Sequence, residues 1–282
     1  MEGFFDDRIY YRCNEFINER TTLLFIHGLS GSSSAWVPYE ERFGARYNTL
    51  SVDLRGHGKS FKPLEFDDYS IEKVANDIRD LLAFLHIDGA IAISHSLGTL
   101  PAIQLVHDHQ HLFSAAIFIS PNYGIYGSTR ASILRPFIAM VSAIAHIFPF
   151  SPRARGHIDY EKYRNTGDWN VRRMFSDISN TQLRPYLYSL NHVYLTDLDL
   201  LWQHIEIPTL VIHGSQDTMV PLRNARALVG EMPNAELSVI PDGDHVIVIN
   251  DIDAVVERIE AFLKKLEKGL VTRALPVLDK SI

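Results

Sequence analysis

Ile91-Ala92-Ile93-Ser94-His95-Ser96-Leu97-Gly98-Thr99 is the stretch on which the reading of this chain turns. A short apolar run, a strand over 90–93, leads into small-x-Ser-x-Gly and then into a helical pattern over 97–106. A sharp strand-to-helix turn of this kind lifts a serine hydroxyl clear of a sheet, and the helix N-terminus behind it favours developing negative charge. Small residues two before and two after Ser96 let strand and helix backbones pass closely. The usual first residue of such a motif is glycine, and Ser94 stands there instead. A plain helix cap by Ser96 is the competing reading, so the motif needs partners elsewhere in the chain.

A nucleophilic serine needs a base, and the base needs an orienting acid. Downstream, an apolar strand over 209–213 is followed by Gly214-Ser215-Gln216-Asp217, and a strand over 237–240 by Pro241-Asp242-Gly243-Asp244-His245. Asp217 and His245 therefore fall on loops at the carboxyl ends of parallel strands, the same edge at which Ser96 emerges. Asp242 and Asp244 lie too near His245 along the chain to reach its Nδ1 without a strained turn. The loop after 115–119 reads Ser120-Pro121-Asn122, with no carboxylate. The candidate catalytic set is Ser96, Asp217 and His245.

Attack on a carbonyl creates an oxyanion that needs two N–H donors. Leu97, directly after the serine, supplies one. The loop after the strand over 21–26, His27-Gly28-Leu29-Ser30-Gly31-Ser32, is small enough to approach the site, and Leu29 is the expected second donor. His27, Gly28 and Trp36 on this loop, together with Phe137 and Trp169 further on, are expected to contact substrate. His107, His109 and His111 alternate, but no second cluster completes a metal site, so no metal is expected.

Solid apolar strands alternating with amphipathic helices over 71–85, 97–106, 222–229 and 252–266 predict a parallel sheet covered on both faces. The rhythm breaks between about 121 and 204, in a stretch rich in aromatics and arginine, and then resumes. The expected organisation is a core of 1–121 and 205–268, a helical cap over 122–204 and a tail over 269–282. Within the cap, 137–150 (FIAMVSAIAHIFPF) is apolar but shorter than the roughly 20 residues a membrane-crossing helix needs. Arg135-Pro136 and Pro149 are expected to bound it as a buried or lid helix.

At 282 residues, with 46 % hydrophobic and 22 % charged residues, the chain has ordinary globular composition and length for one large domain with an insertion. A net charge of −7 offers no basic patch for nucleic acid. The N-terminus shows no basic segment followed by an apolar run, and the single cysteine, Cys13, fits a reducing compartment, so a cytoplasmic location without stable membrane insertion is expected. Oligomeric state is left open.

Together these residues resemble the α/β-hydrolase superfamily, specifically its capped single-domain members, over roughly 5–120 and 205–266. The resemblance extends to Asp53-Leu54-Arg55-Gly56-His57-Gly58-Lys59-Ser60, which in that family is mainly structural. It implies an α/β fold with an eight-stranded, mostly parallel sheet, cofactor-free acyl chemistry, and oxyanion roles for Leu29 and Leu97. Members with an aspartate nucleophile are set aside by Ser96. The expectation is a serine esterase acting on a small, largely apolar ester through a Ser-His-Asp triad. Thioesters, acyl transfer and carbon–carbon bond hydrolysis stay open, as does a ligand-binding or signalling role on the same fold.

Overall fold

A computed structural model describes residues 1–123, 129–147, 150–152, 156–198 and 200–269. Eight strands form one sheet: β1 (Glu2–Phe5), β2 (Ile9–Cys13), β3 (Thr22–Ile26), β4 (Asn48–Val52), β5 (Ala90–His95), β6 (Phe113–Ile119), β7 (Thr209–Gly214) and β8 (Ala235–Ile240). Their spatial order is β1-β2-β4-β3-β5-β6-β7-β8. The first two pairings, β1 with β2 and β2 with β4, are antiparallel, and the remaining five are parallel. This is the eight-stranded, mostly parallel α/β architecture the sequence resemblance implied. β1 carries no alternating apolar signal of its own, because it is an edge strand with half its side chains in water.

Why the central strands read as unbroken apolar runs is visible in the packing. In β3, Leu24 and Ile26 face one hydrophobic cluster, while Leu23 and Phe25 face another on the opposite side of the sheet. The first face is covered by α2 (Ile71–Phe84), α3 (Thr99–Asp108) and α7 (Leu222–Glu231). The second is covered by α1 (Val37–Phe43), α8 (Ile247–Asn250) and α9 (Ile252–Glu267). Each helix is held by a one-sided stripe. In α9, Val255, Val256, Ile259, Phe262 and Leu263 are all buried, each worth about 1.5–3 kcal/mol of transfer free energy. Asp253 in its first turn and Lys264 and Lys265 in its last complement the helix dipole. Cys13 is a free, buried thiol at the end of β2.

Between β6 and β7 the chain leaves the sheet and forms α4 (Thr129–Ile144), α5 (Val171–Thr181) and α6 (Leu183–Leu195). Here one expectation is corrected. The helix predicted over 137–150 begins earlier, at Thr129, and Pro136 lies inside it rather than bounding it. A proline within a helix forfeits one backbone hydrogen bond, and the packing of α4 against α6 compensates: Ser142 Oγ donates to Leu187 O at 3.1 Å, and Ile138, Ser142 and Ala145 are buried. Phe137, Met140, Ile144 and Ile147 fall on the other side and are exposed. The expected boundary at Pro149 and the tail from 270 onward lie outside the described residues. Among the described residues, no helix is long and apolar enough to cross a membrane.

Candidate active site

The carboxyl ends of β3, β5, β7 and β8 share one edge of the sheet, and their loops meet there. β5 ends at His95, and Ser96 takes φ +51°, a left-handed conformation that a non-glycine residue adopts only where its surroundings enforce it. A 3-10 turn over Ser96–Gly98 then feeds into α3. The enforcement comes from below. A Cβ on Gly98 would stand 2.5 Å from the His27 carbonyl oxygen and 2.9 Å from that of Ile26, so only glycine lets α3 approach β3 this closely. Ser94, in the place of the usual first glycine, is fully buried and its hydroxyl reaches Thr99 Oγ1 at 3.3 Å. A small polar side chain is accommodated because it has a partner.

Ser96 Oγ lies 2.8 Å from His245 Nε2, and His245 Nδ1 lies 2.8 Å from Asp217 Oδ2. The other Asp217 oxygen accepts the N–H groups of Met219 at 2.9 Å and Val220 at 2.7 Å. Those two bonds aim Oδ2 at the imidazole. Asp244, by contrast, is spent locally: its oxygens take Val246 N–H and Asn250 Nδ2, each at 2.7 Å. Three residues from three loops thus form a proton path from a hydroxyl to an imidazole steadied by a carboxylate, the arrangement that nucleophilic acyl transfer requires.

Two further histidines flank this line, and burial lowers the pKa of both. His95 is buried at the cavity wall, and burial with His245 nearby pushes it down to about 3; its Nε2 donates to the His245 carbonyl at 2.9 Å. His213 is lowered by burial, donates through Nε2 to Val220 O at 2.9 Å and stands 3.4 Å from Asp217 Oδ2. Neither stood out in the sequence, since each sits in an apolar strand.

Leu29 and Leu97 both border the cavity above Ser96. A Cβ on Gly28 would lie 3.2 Å from Ser96 Cβ, which shows how tightly the loop after β3 passes the serine. The cavity is about 640 Å³ and is lined by apolar groups such as Ile178, Leu190 and Val220, with polar Arg173, Asp177 and Asn224 among them. That volume suits a small organic molecule. Asp177 is raised to about 7 by burial, against the lowering pull of Arg173 and a hydrogen bond from Tyr160.

The expected substrate contacts separate on inspection. Gly28 and Trp169 border the cavity, and the Trp169 indole donates to Thr218 Oγ1 at 2.9 Å. Trp36 borders it too, but is fully buried against Phe25 and Tyr39 as part of the core. His27 borders it as well, with its ring held by backbone groups: Nε2 accepts Leu54 N–H at 3.0 Å, and Nδ1 therefore carries the proton and donates to Gly28 O at 2.7 Å. Phe137 is a correction. It is 60 % exposed and does not border the cavity, because the apolar run of α4 has two sides and Phe137 is on the outer one.

Asp53, which the resemblance makes mainly structural, does not border the cavity. Asp53 accepts from Ser33 N at 2.6 Å and Lys59 N at 2.7 Å, and meets His157 Nε2 of the insertion at 2.7 Å. Burial alone would raise this carboxyl, but the hydrogen bond and charge of His157, with Ser33, hold it at about 2. Asp168 escaped the sequence reading altogether; it lies in an irregular turn of the insertion, where no periodic signal marks it.

A sequence profile of the alpha/beta hydrolase fold matches residues 21–252. An uncharacterized protein of Mycobacterium tuberculosis is 25 % identical over 280 residues, covering 92 % of this chain and 80 % of that relative. Among solved structures, an alpha/beta hydrolase enzyme from a Medee basin deep-sea metagenome library aligns with a TM-score of 0.72 at 19 % identity, over 94 % of this chain and 97 % of that one. The enol-lactonase from Burkholderia xenovorans LB400 aligns with a TM-score of 0.69 at 18 % identity, over 94 % of this chain and 100 % of that one. The chain belongs to the α/β-hydrolase fold family.

Proposed function

We propose that this protein is a serine hydrolase that cleaves the carboxylic ester of a small, largely apolar substrate by way of an acyl-enzyme. The observation that carries the reading is the pair of 2.8 Å contacts linking Ser96 to His245 and His245 to Asp217. Ser96 Oγ attacks the ester carbonyl while His245 Nε2 takes its proton. Asp217 holds the imidazole in the tautomer with its proton on Nδ1 and stabilises the imidazolium that forms. The amides of Leu29 and Leu97 receive the oxyanion. His245 then returns the proton to the leaving alcohol and activates a water that releases the acid and regenerates Ser96.

Residues 122–204 act as the cap, with Trp169 at the mouth of the cavity and the α5 and α6 side chains shaping an apolar acyl pocket. A panel of p-nitrophenyl esters of increasing acyl length tests the reading. Turnover of short-chain esters by the wild type, reduced by several orders of magnitude in Ser96→Ala, supports it. Turnover that survives Ser96→Ala contradicts it.

A further inference from the structure

Asp168 places one carboxylate oxygen on each of two loops. Its Oδ1 accepts the His245 backbone N–H at 2.6 Å. Its Oδ2 accepts Thr218 N–H at 3.0 Å and the Thr218 hydroxyl at 2.6 Å. Thr218 follows Asp217 directly, so a residue of the insertion grips the loops of both the acid and the base. We propose that Asp168 is a positioning residue: a carboxylate of the insertion that holds His245 and Asp217 in register, so that Ser96 is activated only while the insertion is seated. This rests on the hydrolase reading above.

The pattern of contacts favours this over a general staple between insertion and core. Other polar bridges, such as His157 on Asp53 and His192 on the Phe66 carbonyl, land away from the reacting groups. Asp168 lands on the His245 peptide, whose carbonyl is held from the opposite side by His95. The base is thus clamped through both of its backbone polar groups. Asp168 is only 5 % exposed and does not border the cavity, so it touches no substrate. Its own turn is fixed by Arg173 Nη2, which donates to the Asp168 carbonyl at 2.6 Å. The Thr218 hydroxyl that donates to Asp168 also accepts from Trp169 at the cavity mouth, which connects the substrate entrance to the acid loop.

A carboxylate is required here because all three partners are donors. In Asp168→Asn either orientation of the amide turns its own N–H groups toward one of them. Such a loss loosens the loops that carry the acid and the base, and misplacement of a reacting group by about 1 Å can cost on the order of 10²-fold in rate. The test measures kcat and KM on a p-nitrophenyl ester, the rate of fluorophosphonate labelling of Ser96, and thermal unfolding, for wild type, Asp168→Asn and Thr218→Val. The expected result is kcat reduced about 10- to 100-fold in Asp168→Asn, with KM within about 2-fold and labelling slowed in parallel. Thr218→Val, which removes one arm, gives a smaller loss of the same kind and decides the matter if Asp168→Asn fails to fold. Unchanged kcat and labelling in a folded Asp168→Asn, or in Thr218→Val where only that variant folds, overturns the proposal. A loss confined to KM overturns it as well. A folded wild type that takes no label at Ser96 overturns instead the hydrolase reading on which the proposal rests.

Discussion

Gly98 and His27 stand back to back: a single methyl on Gly98 would come within 2.5 Å of the His27 carbonyl oxygen. The strand-to-helix turn at Ser96 therefore depends on a backbone contact with the neighbouring strand's end. Gly98→Ala is expected to destabilise the fold by about 1–3 kcal/mol and to displace Ser96, with loss of most activity. Ser94→Gly, which removes only the 3.3 Å contact with Thr99, should cost about 1 kcal/mol and leave kcat nearly intact. Urea unfolding and ester turnover of the two variants check this; equal effects of both would contradict it.

The His27 ring joins the loop after β3 to the backbone of Leu54. His27→Ala leaves the buried Leu54 N–H and Gly28 carbonyl without this partner, at an expected cost of about 2–4 kcal/mol. Because the same loop carries Leu29, kcat should fall while KM changes little. Substrate contact by the ring would instead appear as a rise in KM without loss of unfolding free energy.

The acid limb of stability should depend on Asp53. Its carboxyl titrates at about 2 in the folded chain against an ordinary value of 3.8. A depressed carboxylate contributes stability that is fully present above about pH 4 and disappears as pH falls through 2. Asp53→Asn is expected to lose about 2 kcal/mol at neutral pH, with the gap from wild type narrowing between pH 4 and pH 2. Urea titrations at several pH values read this directly, and a gap constant across that window would contradict it.

Asp177 works in the opposite sense. Its folded carboxyl is raised to about 7, so the folded chain keeps a proton that the unfolded chain releases near pH 4. Stability contributed here falls as pH rises from 4 to 7 and is level above. Asp177→Asn removes that slope. It should match wild type near pH 4 and exceed it in melting temperature at pH 8, while a variant less stable than wild type at pH 8 would show that ionised Asp177 is a net support.

How much of this was legible beforehand follows from where each residue sits. Ser96, Asp217 and His245 each come directly after a strand of a parallel sheet, and parallel strands deliver their following loops to one edge. Locating three strand ends was therefore enough to bring together residues far apart in sequence. Asp168, Tyr160 and His157 follow no periodic element, and what they bond is decided by tertiary docking that no local pattern encodes. Phe137 was misassigned for a related reason. An apolar run over 137–150 does not reveal which side faces inward, and α4 turns Ile138 and Ser142 to its neighbours while Phe137 and Met140 face out. β1 was missed because an edge strand needs no apolar face.

Activation of Ser96 as a nucleophile is read by a fluorophosphonate probe with mass spectrometry of the labelled peptide. One label per folded chain is expected, on Ser96, absent from Ser96→Ala, strongly slowed in His245→Ala and lost when the wild type is unfolded first. A folded protein that remains unlabelled, or a label on another residue with Ser96 untouched, would contradict it.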